Sequence, residues 1–253
     1  MIRRLLRPKG LSSPTGFRWR GEEVSRLEEL SDAVIAFALT LLVVSLEVPQ
    51  TFDDLLSTMR GFGAFALCFA LLIVIWYEHY TYFRRYGLQD TYVMVWNTVL
   101  LFLIVFYVYP LKFLFTLFFN ELLGLSFQVT LPGGDIVPMI REGQLPQLYI
   151  IYGIGWTAVW LVFVLLYRHA LKQGERLELS PVEVFDTRAS ISENLAASII
   201  GLLSIGMVLA GASNVAGFVY LLMFPLTWAI KRRNSIHRHA VATDQAPVTI
   251  EGQ

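Results

Sequence analysis

Hydroxyl and ionisable side chains stand at the start of an apolar segment that is long enough to cross a membrane. Arg26, Ser31 and Asp32 precede an apolar run that reaches Val48 and is followed by Pro49. Charged groups within a bilayer are costly unless they are paired or line a water-filled path. This pattern predicts a membrane protein with a functional cluster of polar side chains near one end of its first helix.

An enzyme working inside the membrane would have to rely on Ser31, Asp32 or His79. The sequence contains neither an H-E-x-x-H zinc motif nor a G-x-S-x-G nucleophile elbow, the spacings that would place such groups for hydrolysis. The single cysteine, Cys68, lies in an apolar run and is typical of a small core residue. We therefore expect no enzyme activity, no resident cofactor and no metal site.

The composition excludes an ordinary soluble domain. Of the 253 residues, 55% are hydrophobic and 16% are charged, and the mean hydropathy is +0.56. Soluble domains carry about 25% charged residues. The deficit of charge, together with long apolar runs, indicates an integral membrane protein.

Six apolar segments approach the roughly 20 residues that a helix needs to cross a bilayer. They cover residues 30–48, 59–83, 91–119, 147–170, 190–211 and 214–230. Ser25 and Glu28 form a capping-box pattern ahead of the first segment. The sequence predicts an all-α membrane protein with six transmembrane helices per subunit. A basic tail (1–24) precedes the six-helix domain (25–231), and a second tail (232–253) follows it; we expect both tails to be mobile and cytoplasmic.

The distribution of basic residues predicts the orientation. Six spans put both termini on one side, and that side holds 17 of the 20 Lys and Arg residues. Because basic residues are retained in the cytoplasm, the sequence predicts cytoplasmic termini. The outer side holds 6 of the 20 acidic residues and only 3 basic ones, a mild excess that would attract cations. Ordinary solvated loops explain that excess equally well.

This orientation brings polar residues of several spans to one depth, in the inner half of the membrane. Ser31 and Asp32 begin the first span, Trp76 and His79 end the second, and Asn97 lies early in the third. The fifth span adds a group at a similar level: Arg188, Ser190, Ser192, Glu193 and Asn194. Such side chains usually bond one another, because lipid offers no partner. A structural network and a gating or proton-sensing device that uses His79 both remain open.

One stripe of the first helix is apolar. Phe37, Thr40, Leu41 and Val44 follow the i, i+3, i+4, i+7 spacing of a single helix face. Asp32, Leu39 and Val43 point elsewhere. Composition alone leaves three interpretations open, since such a stripe suits a protein core, a lipid-facing surface or a pore.

The motif Arg26-x-x-x-Leu30-Ser31-Asp32, followed by an apolar helix through Val44, resembles the first helix of the endosomal/lysosomal potassium channel family and its prokaryotic relatives. The signature of that helix is R-x-x-x-F-S-D. Leu30 stands where the family has phenylalanine, which is a mild apolar exchange.

Two later helices carry the same resemblance. Trp76-Tyr-Glu-His79 looks like the W-x-x-H signature of the family's second helix. Asn97-Thr-Val-Leu-Leu-Phe-Leu, with Pro110 further along, is similar to the third. The resemblance covers about residues 22–112 and extends beyond them only in the number of spans.

The resemblance implies a six-helix subunit that assembles as a homotetramer in a prokaryotic plasma membrane. Its pore would be lined by the first helix and would be permeable to potassium with weak selectivity. The family has no TVGYG carbonyl filter, and this sequence contains none. Selectivity would therefore not come from a backbone filter.

By the same resemblance, the family's narrowest ring, an isoleucine, falls on Phe37 here, and the next rings outward fall on Thr40, Leu41 and Val44. Four phenylalanines at one level would make a tighter gate than four isoleucines, or a pore that no longer conducts. The expected partners are membrane lipid, further copies of the chain and monovalent cations, with no nucleic acid.

The polar residues would form a network behind the pore rather than in the water column. Its expected members are Arg26, Ser31, Asp32, Trp76, His79 and Asn97. A secondary transporter is the competing class. Transporters favour broken helices in paired halves, whereas here only Pro110 and Pro225 interrupt late spans.

Overall fold

The structure is a computed structural model whose regular elements are almost entirely helical. It describes residues 16–21, 23–44, 49–124, 128–130, 135–141, 143–223, 225–227, 229–230 and 232–234. The five long helices are α1 (Arg26–Val44), α3 (Phe62–Tyr86), α4 (Thr91–Leu122), α5 (Leu145–Lys172) and α6 (Pro181–Leu209). The shorter ones are α2 (Phe52–Arg60), α7 (Ser213–Ala216) and a 3₁₀ helix (Gly217–Leu222).

The expectation of a purely helical protein needs one correction. Between α4 and α5, the strands β1 (Gln128–Thr130) and β2 (Ile136–Pro138) pair as a short antiparallel ribbon. Val129, Thr130, Ile136 and Val137 are β-branched, and such residues favour strands over helices. This connection therefore forms a small two-stranded sheet between α4 and α5.

Four helices in the described part of the chain are long and apolar enough to cross a membrane: α3, α4, α5 and α6. They correspond to four of the six predicted spans. The first predicted span coincides with α1, a 19-residue helix that carries four charged residues; residues 45–48 at its predicted end lie outside the described residues. The last predicted span contains α7 and the 3₁₀ helix and is described only in part. Six spans therefore remain a prediction.

Side-chain caps define where helices begin. Ser25 and Glu28 form the predicted capping box of α1: Glu28 Oε1 accepts from the Ser25 N–H at 3.0 Å, and Ser25 Oγ accepts from the Glu28 N–H at 3.2 Å. Ser180 and Glu183 form a second capping box at the start of α6. Both boxes satisfy amide groups that the first turn of a helix leaves unpaired.

The turn between α3 and α4 is equally well defined. α3 ends at Gly87, whose φ of +58° suits a residue without a Cβ atom, and its N–H bonds to Phe83 O. Asp90 then caps α4 by accepting a hydrogen bond from the Val93 N–H. Asp90 Oδ2 also accepts from His169 Nε2 at 2.8 Å, so this turn is tied to the end of α5.

The core lies where α1, α3, α4 and α5 meet. α1 buries Ile35, Ala38 and Leu42 against a set of side chains from the other three helices that includes Cys68, Leu72, Leu100, Ile104 and Phe163. Within a bilayer, apolar side chains gain little from leaving lipid. Close packing and interhelical hydrogen bonds must hold the helices together.

Two glycines allow the closest approach of helices. Gly153 of α5 faces Gly201 of α6, and a Cβ atom on Gly201 would lie 2.8 Å from the Gly153 carbonyl oxygen. The contact is reinforced by Trp156 Nε1, which donates to Ala197 O at 2.7 Å. α5 and α6 therefore form the tightest helix pair of the subunit.

The segment ahead of α1 is packed against the helices. Phe17 is fully buried, and the backbone N–H groups of Arg20 and Gly21 both bond to Arg84 O at the end of α3. The prediction of a mobile tail is therefore wrong for residues 17–21. The tail residues 1–15 and 235–253 lie outside the described part of the chain.

Candidate functional site

A chain of hydrogen bonds joins α1, α4 and α3 inside the subunit. Asn97 Nδ2 donates to Ser31 Oγ at 2.9 Å, and Asn97 Oδ1 lies 2.9 Å from His79 Nε2. The three side chains are almost completely buried. The structure thus brings together three of the six predicted network residues, one from each helix.

The Ser31 hydroxyl determines which group donates and which accepts in each of these hydrogen bonds. Ser31 Oγ donates its hydrogen to Leu27 O at 2.7 Å, so it can only accept from Asn97. Asn97 must then present its amide nitrogen to Ser31 and its oxygen to His79. Because that oxygen only accepts, His79 Nε2 carries the hydrogen. Each of the three side chains thus makes at least one hydrogen bond with a defined direction.

Asp32 and Trp76 form a separate link between α1 and α3. Trp76 Nε1 donates to Asp32 Oδ1 at 2.8 Å, and the Trp76 ring stacks on Tyr80 with centroids 5.6 Å apart. Asp32 is exposed in the subunit, in contrast to Ser31 beside it. This link lies at the surface of the helix bundle, where the carboxylate remains accessible.

The structure places Arg26 apart from the network. Its side chain is exposed in the subunit. Arg26 precedes Phe37 by eleven residues, about three helical turns, so the two share a face of α1. The arginine that approaches α1 from within the bundle is Arg84, which lies 3.5 Å from the buried carboxylate of Glu28.

The polar residues of α6 do not join the same network. Asn194 donates to Glu78 Oε1 at 2.9 Å, and Ser190 Oγ accepts from Arg85 at 3.0 Å. Ser192 bonds to its own helix, and Arg188 is exposed. Asn194 and Ser190, with Glu78 and Arg85 of α3, form a second polar group on another side of α3.

Glu78 was not among the predicted site residues, although its position contains a usable signal. Glu78 directly precedes His79, and neighbouring residues of a helix point about 100° apart. A carboxylate beside His79 must therefore face a different helix from the one that His79 contacts. Here His79 faces α4 and Glu78 faces α6.

The opposite face of α1 is uncovered. Phe37 is 56% exposed, and Ala33, Ala36 and Thr40 are exposed beside it. Thr40 Oγ1 donates to Ala36 O at 2.9 Å, the bond that a helical threonine most often makes. The hydroxyl oxygen keeps a free lone pair on this open face.

The predicted stripe is divided by its packing. Phe37 and Thr40 lie on the open face, whereas Leu41 is partly buried and packs against the core. Leu41 lies about 40° around the helix from Phe37, toward the buried residues Ala38 and Leu42. Val44 ends α1, and its side chain lies outside the described part of the structure.

Asp90 lies in the turn between α3 and α4. Partial burial raises its pKa, but hydrogen bonds from His169 and the Val93 N–H outweigh this effect, and the pKa lies below its ordinary value. Among the described residues, no group of three or more His, Cys, Asp or Glu side chains could hold a metal ion.

The chain resembles known proteins over most of its length. Residues 26–107 match the family described as the endosomal/lysosomal potassium channel TMEM175. A protein of Marivirga tractuosa, named a potassium channel, is 42% identical over 216 residues, which cover 83% of this chain and 87% of the relative. A second potassium channel, from Chamaesiphon minutus, is 35% identical over 96 residues, or 35% of this chain and 47% of the relative.

A solved structure extends the similarity to the fold. It is a crystal structure of a variant of the potassium channel MtTMEM175, in complex with a nanobody–MBP fusion protein. The sequences are 38% identical, and the TM-score is 0.75. The match covers 89% of this chain and 99% of that one.

Proposed function

The chain belongs to the family of the endosomal/lysosomal potassium channel TMEM175, and on that premise we propose that it forms a potassium-permeable, weakly selective cation channel. Its relatives are named potassium channels rather than enzymes. Its apolar helices suit a membrane protein. The bacterial relatives favour a plasma membrane location.

The observation that carries this proposal is the uncovered face of α1. Ile35, Ala38 and Leu42 bury one side of the helix, and Phe37 and Thr40 are exposed on the other side in the part of the chain that the structure describes. A helix with one packed side and one open side suits the lining of a central path. Asp32 and Trp76, at the edge between the two sides, support α1 from α3.

A pore lined by a single helix from each subunit needs several subunits. Closed symmetry is the usual solution for soluble oligomers, and it suits a pore as well. The channel is a homotetramer in this proposal, with four copies of α1 around the axis. The exposed side chains of α3 and α4, such as Phe69, Phe102 and Phe106, then face lipid or a neighbouring subunit.

Phe37 forms the narrowest ring in this arrangement, and Thr40, Leu41 and Val44 follow it outward. An apolar ring closes a pore by excluding water, so no charged gate is needed. Thr40 supplies a hydroxyl oxygen beside the ring. Since Leu41 is turned partly toward the core, Phe37 and Thr40 carry most of the lining.

The bulk of Phe37 favours one alternative, a family member that assembles but does not conduct. Flux through purified protein in liposomes distinguishes the cases. The proposal expects potassium flux that does not saturate at low concentration and needs no exchanged ion. A transporter would saturate and require its counter-substrate. A non-conducting relative would carry no flux until Phe37 is replaced by alanine.

The orientation is part of the proposal and has its own test. Both termini are cytoplasmic here, as the distribution of basic residues favours. Asp135→Cys should react with a membrane-impermeant maleimide from outside the cell, and Ala240→Cys only after the membrane is opened. Cys68 is buried, so it gives little background. Reaction of Ala240→Cys in intact cells would reverse the orientation.

A further inference from the structure

Residues 17–21 form a strap that crosses the cytoplasmic end of α3 just before α1 begins. The N–H groups of Arg20 and Gly21 bond to Arg84 O at 3.0 and 3.2 Å. Arg84 in turn donates to Gly21 O at 2.8 Å. The approach is close enough to require glycine, because a Cβ atom on Gly21 would lie 2.6 Å from Phe83 O.

Aromatic contacts anchor the start of the strap. The Phe17 ring is fully buried and meets Tyr86 edge to face, with centroids 5.7 Å apart. The Arg85 guanidinium lies 5.0 Å from the centroid of the Phe17 ring, a cation–π contact. The strap is therefore attached to the last turn of α3 by both backbone and side chains.

Arg20 attaches the strap to the turn between α5 and α6. Its guanidinium forms a bidentate pair with Glu183, at 2.7 and 3.1 Å, and the two side chains are only 11% and 7% exposed. It also donates to Leu177 O at 2.7 Å and to Glu178 O at 3.2 Å. Glu178 is the one non-glycine residue with positive φ in the described backbone. Arg20 thus holds a strained turn as well as a carboxylate.

The Glu183 carboxylate accepts hydrogen bonds from the strap and from the N-cap of α6. Besides pairing with Arg20, it accepts from the Arg18 N–H at 2.9 Å and from the Ser180 N–H at 2.9 Å. The Ser180 bond belongs to the capping box of α6. The ion pair therefore joins the strap, the α5–α6 turn and the first turn of α6 in one buried arrangement.

The strap leads directly into α1. Gly21 lies only five positions before Arg26, where α1 starts. Arg84, which bonds to the strap, also lies 3.5 Å from Glu28 in the first turn of α1. A displacement of the strap must therefore reach the cytoplasmic end of that helix.

We propose that Arg20 is a positioning residue for the pore: its pair with Glu183 fixes the cytoplasmic end of α1 against α3 and α6, and so limits how often the pore opens. The inference rests on the proposed function, in which α1 lines the pore. A ring of four Phe37 side chains closes only if the four helices approach symmetrically. Loosening one end of α1 makes that closure less complete.

Arg18 provides a matched control. It lies on the same strap and carries the same charge, but its side chain lies 3.5 Å from Glu178 and donates to Leu177 O at 3.3 Å, and the side chains of this ion pair are at least half exposed. Exposed pairs of this kind contribute little. Arg18→Gln therefore removes a charge from the strap without removing its buried anchor.

The test uses single-channel recording and hydrogen–deuterium exchange on the purified, full-length channel. Arg20→Gln should raise the open probability at least threefold and leave unitary conductance and ion preference unchanged. Amides in the first two turns of α1 should exchange at least threefold faster. Arg18→Gln should alter neither quantity. Equal effects of the two variants in both measurements would overturn the inference.

A double-mutant cycle measures the interaction between Arg20 and Glu183 separately from the effect of each residue alone. Glu183→Gln keeps the size of the side chain and removes its charge, and its one amide oxygen can still accept from either the Ser180 N–H or the Arg18 N–H. If Arg20 and Glu183 act as a unit, the double variant should behave like either single variant. Additive effects on open probability would contradict the pair. Should Arg20→Gln fail to assemble, Arg20→Lys, which keeps the charge but not the fork of donors, carries the same comparison.

Because recording and hydrogen–deuterium exchange are independent measurements, failure of this inference can be distinguished from failure of the proposed function. If the wild-type protein carries no current under any condition, the proposed function fails and exchange alone decides on the strap. Faster exchange at α1 in Arg20→Gln would still support the positioning role. Unchanged exchange would overturn it, whether or not the channel conducts.

Discussion

The two faces of α1 follow different physical rules within a single helix. On the buried face, Ser31 is completely enclosed and takes part in a row of matched hydrogen bonds with Asn97 and His79. On the other face, Phe37 is more than half exposed, although it is far more apolar than Ser31. For these two residues the usual pattern of a soluble protein is inverted: the polar side chain is inside and the large apolar one is outside.

This inversion is what a bilayer requires. Lipid accepts apolar side chains but cannot bond polar ones, so polar groups turn inward and pair with one another. An exposed phenylalanine by itself does not distinguish lipid, another subunit or a pore. The two faces therefore need different experiments, because the buried face should control assembly and the open face should control conduction.

The largest expected effect is at the open face. Phe37→Ala and Phe37→Asn should raise basal potassium flux about tenfold or more, because a smaller or polar ring no longer excludes water. The tetramer should remain intact, since Phe37 contributes little to the packing within the subunit. Flux from proteoliposomes, normalised to assembled protein, is the measurement.

Leu39 provides the control for that comparison. It lies across the helix from Phe37 and packs partly against the core. Leu39→Asn should lower the yield of folded protein and leave the flux per assembled channel unchanged. A Phe37→Asn tetramer with wild-type flux would remove this residue from the gate and leave the open face as a lipid or subunit contact.

The buried face should respond through stability. Asn97→Ala removes the group between Ser31 and His79 and leaves the His79 N–H without its acceptor. A buried group without a partner costs about 1–3 kcal/mol. Asp32→Ala should cost less, because Asp32 is exposed and makes one bond to Trp76. The midpoint of thermal dissociation of the tetramer in mild detergent measures both.

One outcome would contradict the assignment of assembly to the buried face of α1 and of conduction to the open face. If Asn97→Ala or His79→Ala channels assemble with wild-type stability but change ion preference, those side chains must reach the ion path. The buried row would then belong to the conduction mechanism.

The sequence was sufficient for features that depend on local spacing. The Ser25 and Glu28 capping box is confirmed, because a cap depends on residues three positions apart. The meeting of Ser31, His79 and Asn97 also agrees with reasoning from depth, since polar groups in lipid have few partners to choose from. These arguments needed only helix geometry and the direction of each span.

Other features depend on which helix packs against which side, and that information is not local. Arg26 was grouped with the network by its motif, but its angle around α1 places it on the same exposed face as Phe37, about three turns away. Leu41 was assigned to the pore stripe, yet the packing of α1 turns it partly inward. The Arg20 and Glu183 pair joins residues 163 positions apart, and no spacing rule predicts such a contact.

A substitution at Thr40 should have a smaller effect on conduction than one at Phe37. Its hydroxyl hydrogen is used by Ala36 O, but the oxygen can still accept or approach a cation. Thr40→Val keeps the shape and removes that oxygen. We expect the preference for potassium over sodium to fall about two- to threefold, under 1 kcal/mol, with assembly unchanged. Reversal potentials in mixed salts measure it, and Val43→Ala on the flank of the helix should leave them unaffected.

The smallest effect is expected far from both faces, at Asp90, where a charge is bonded but partly exposed. Its pKa lies below the ordinary value despite partial burial, because His169 and the Val93 N–H bond to the carboxylate. Such a group stabilises the folded state above its unfolded pKa of about 3.9, and the contribution is lost as pH falls through the lower folded value.

Asp90→Asn isolates this charge, because asparagine caps a helix about as well as aspartate. Near pH 7 the variant should be less stable by about 0.5 kcal/mol, a small value because the side chain is 30% exposed. The difference should shrink as the pH falls below the unfolded pKa of about 3.9 and vanish once the pH is below the lower folded pKa, since both proteins then carry an uncharged cap. Thermal unfolding across this pH range is the measurement. A difference that grows as the pH falls would mean that the Asp90 carboxylate is not stabilised by its bonds. Conduction should be the same in both proteins, because Asp90 lies on neither face of α1.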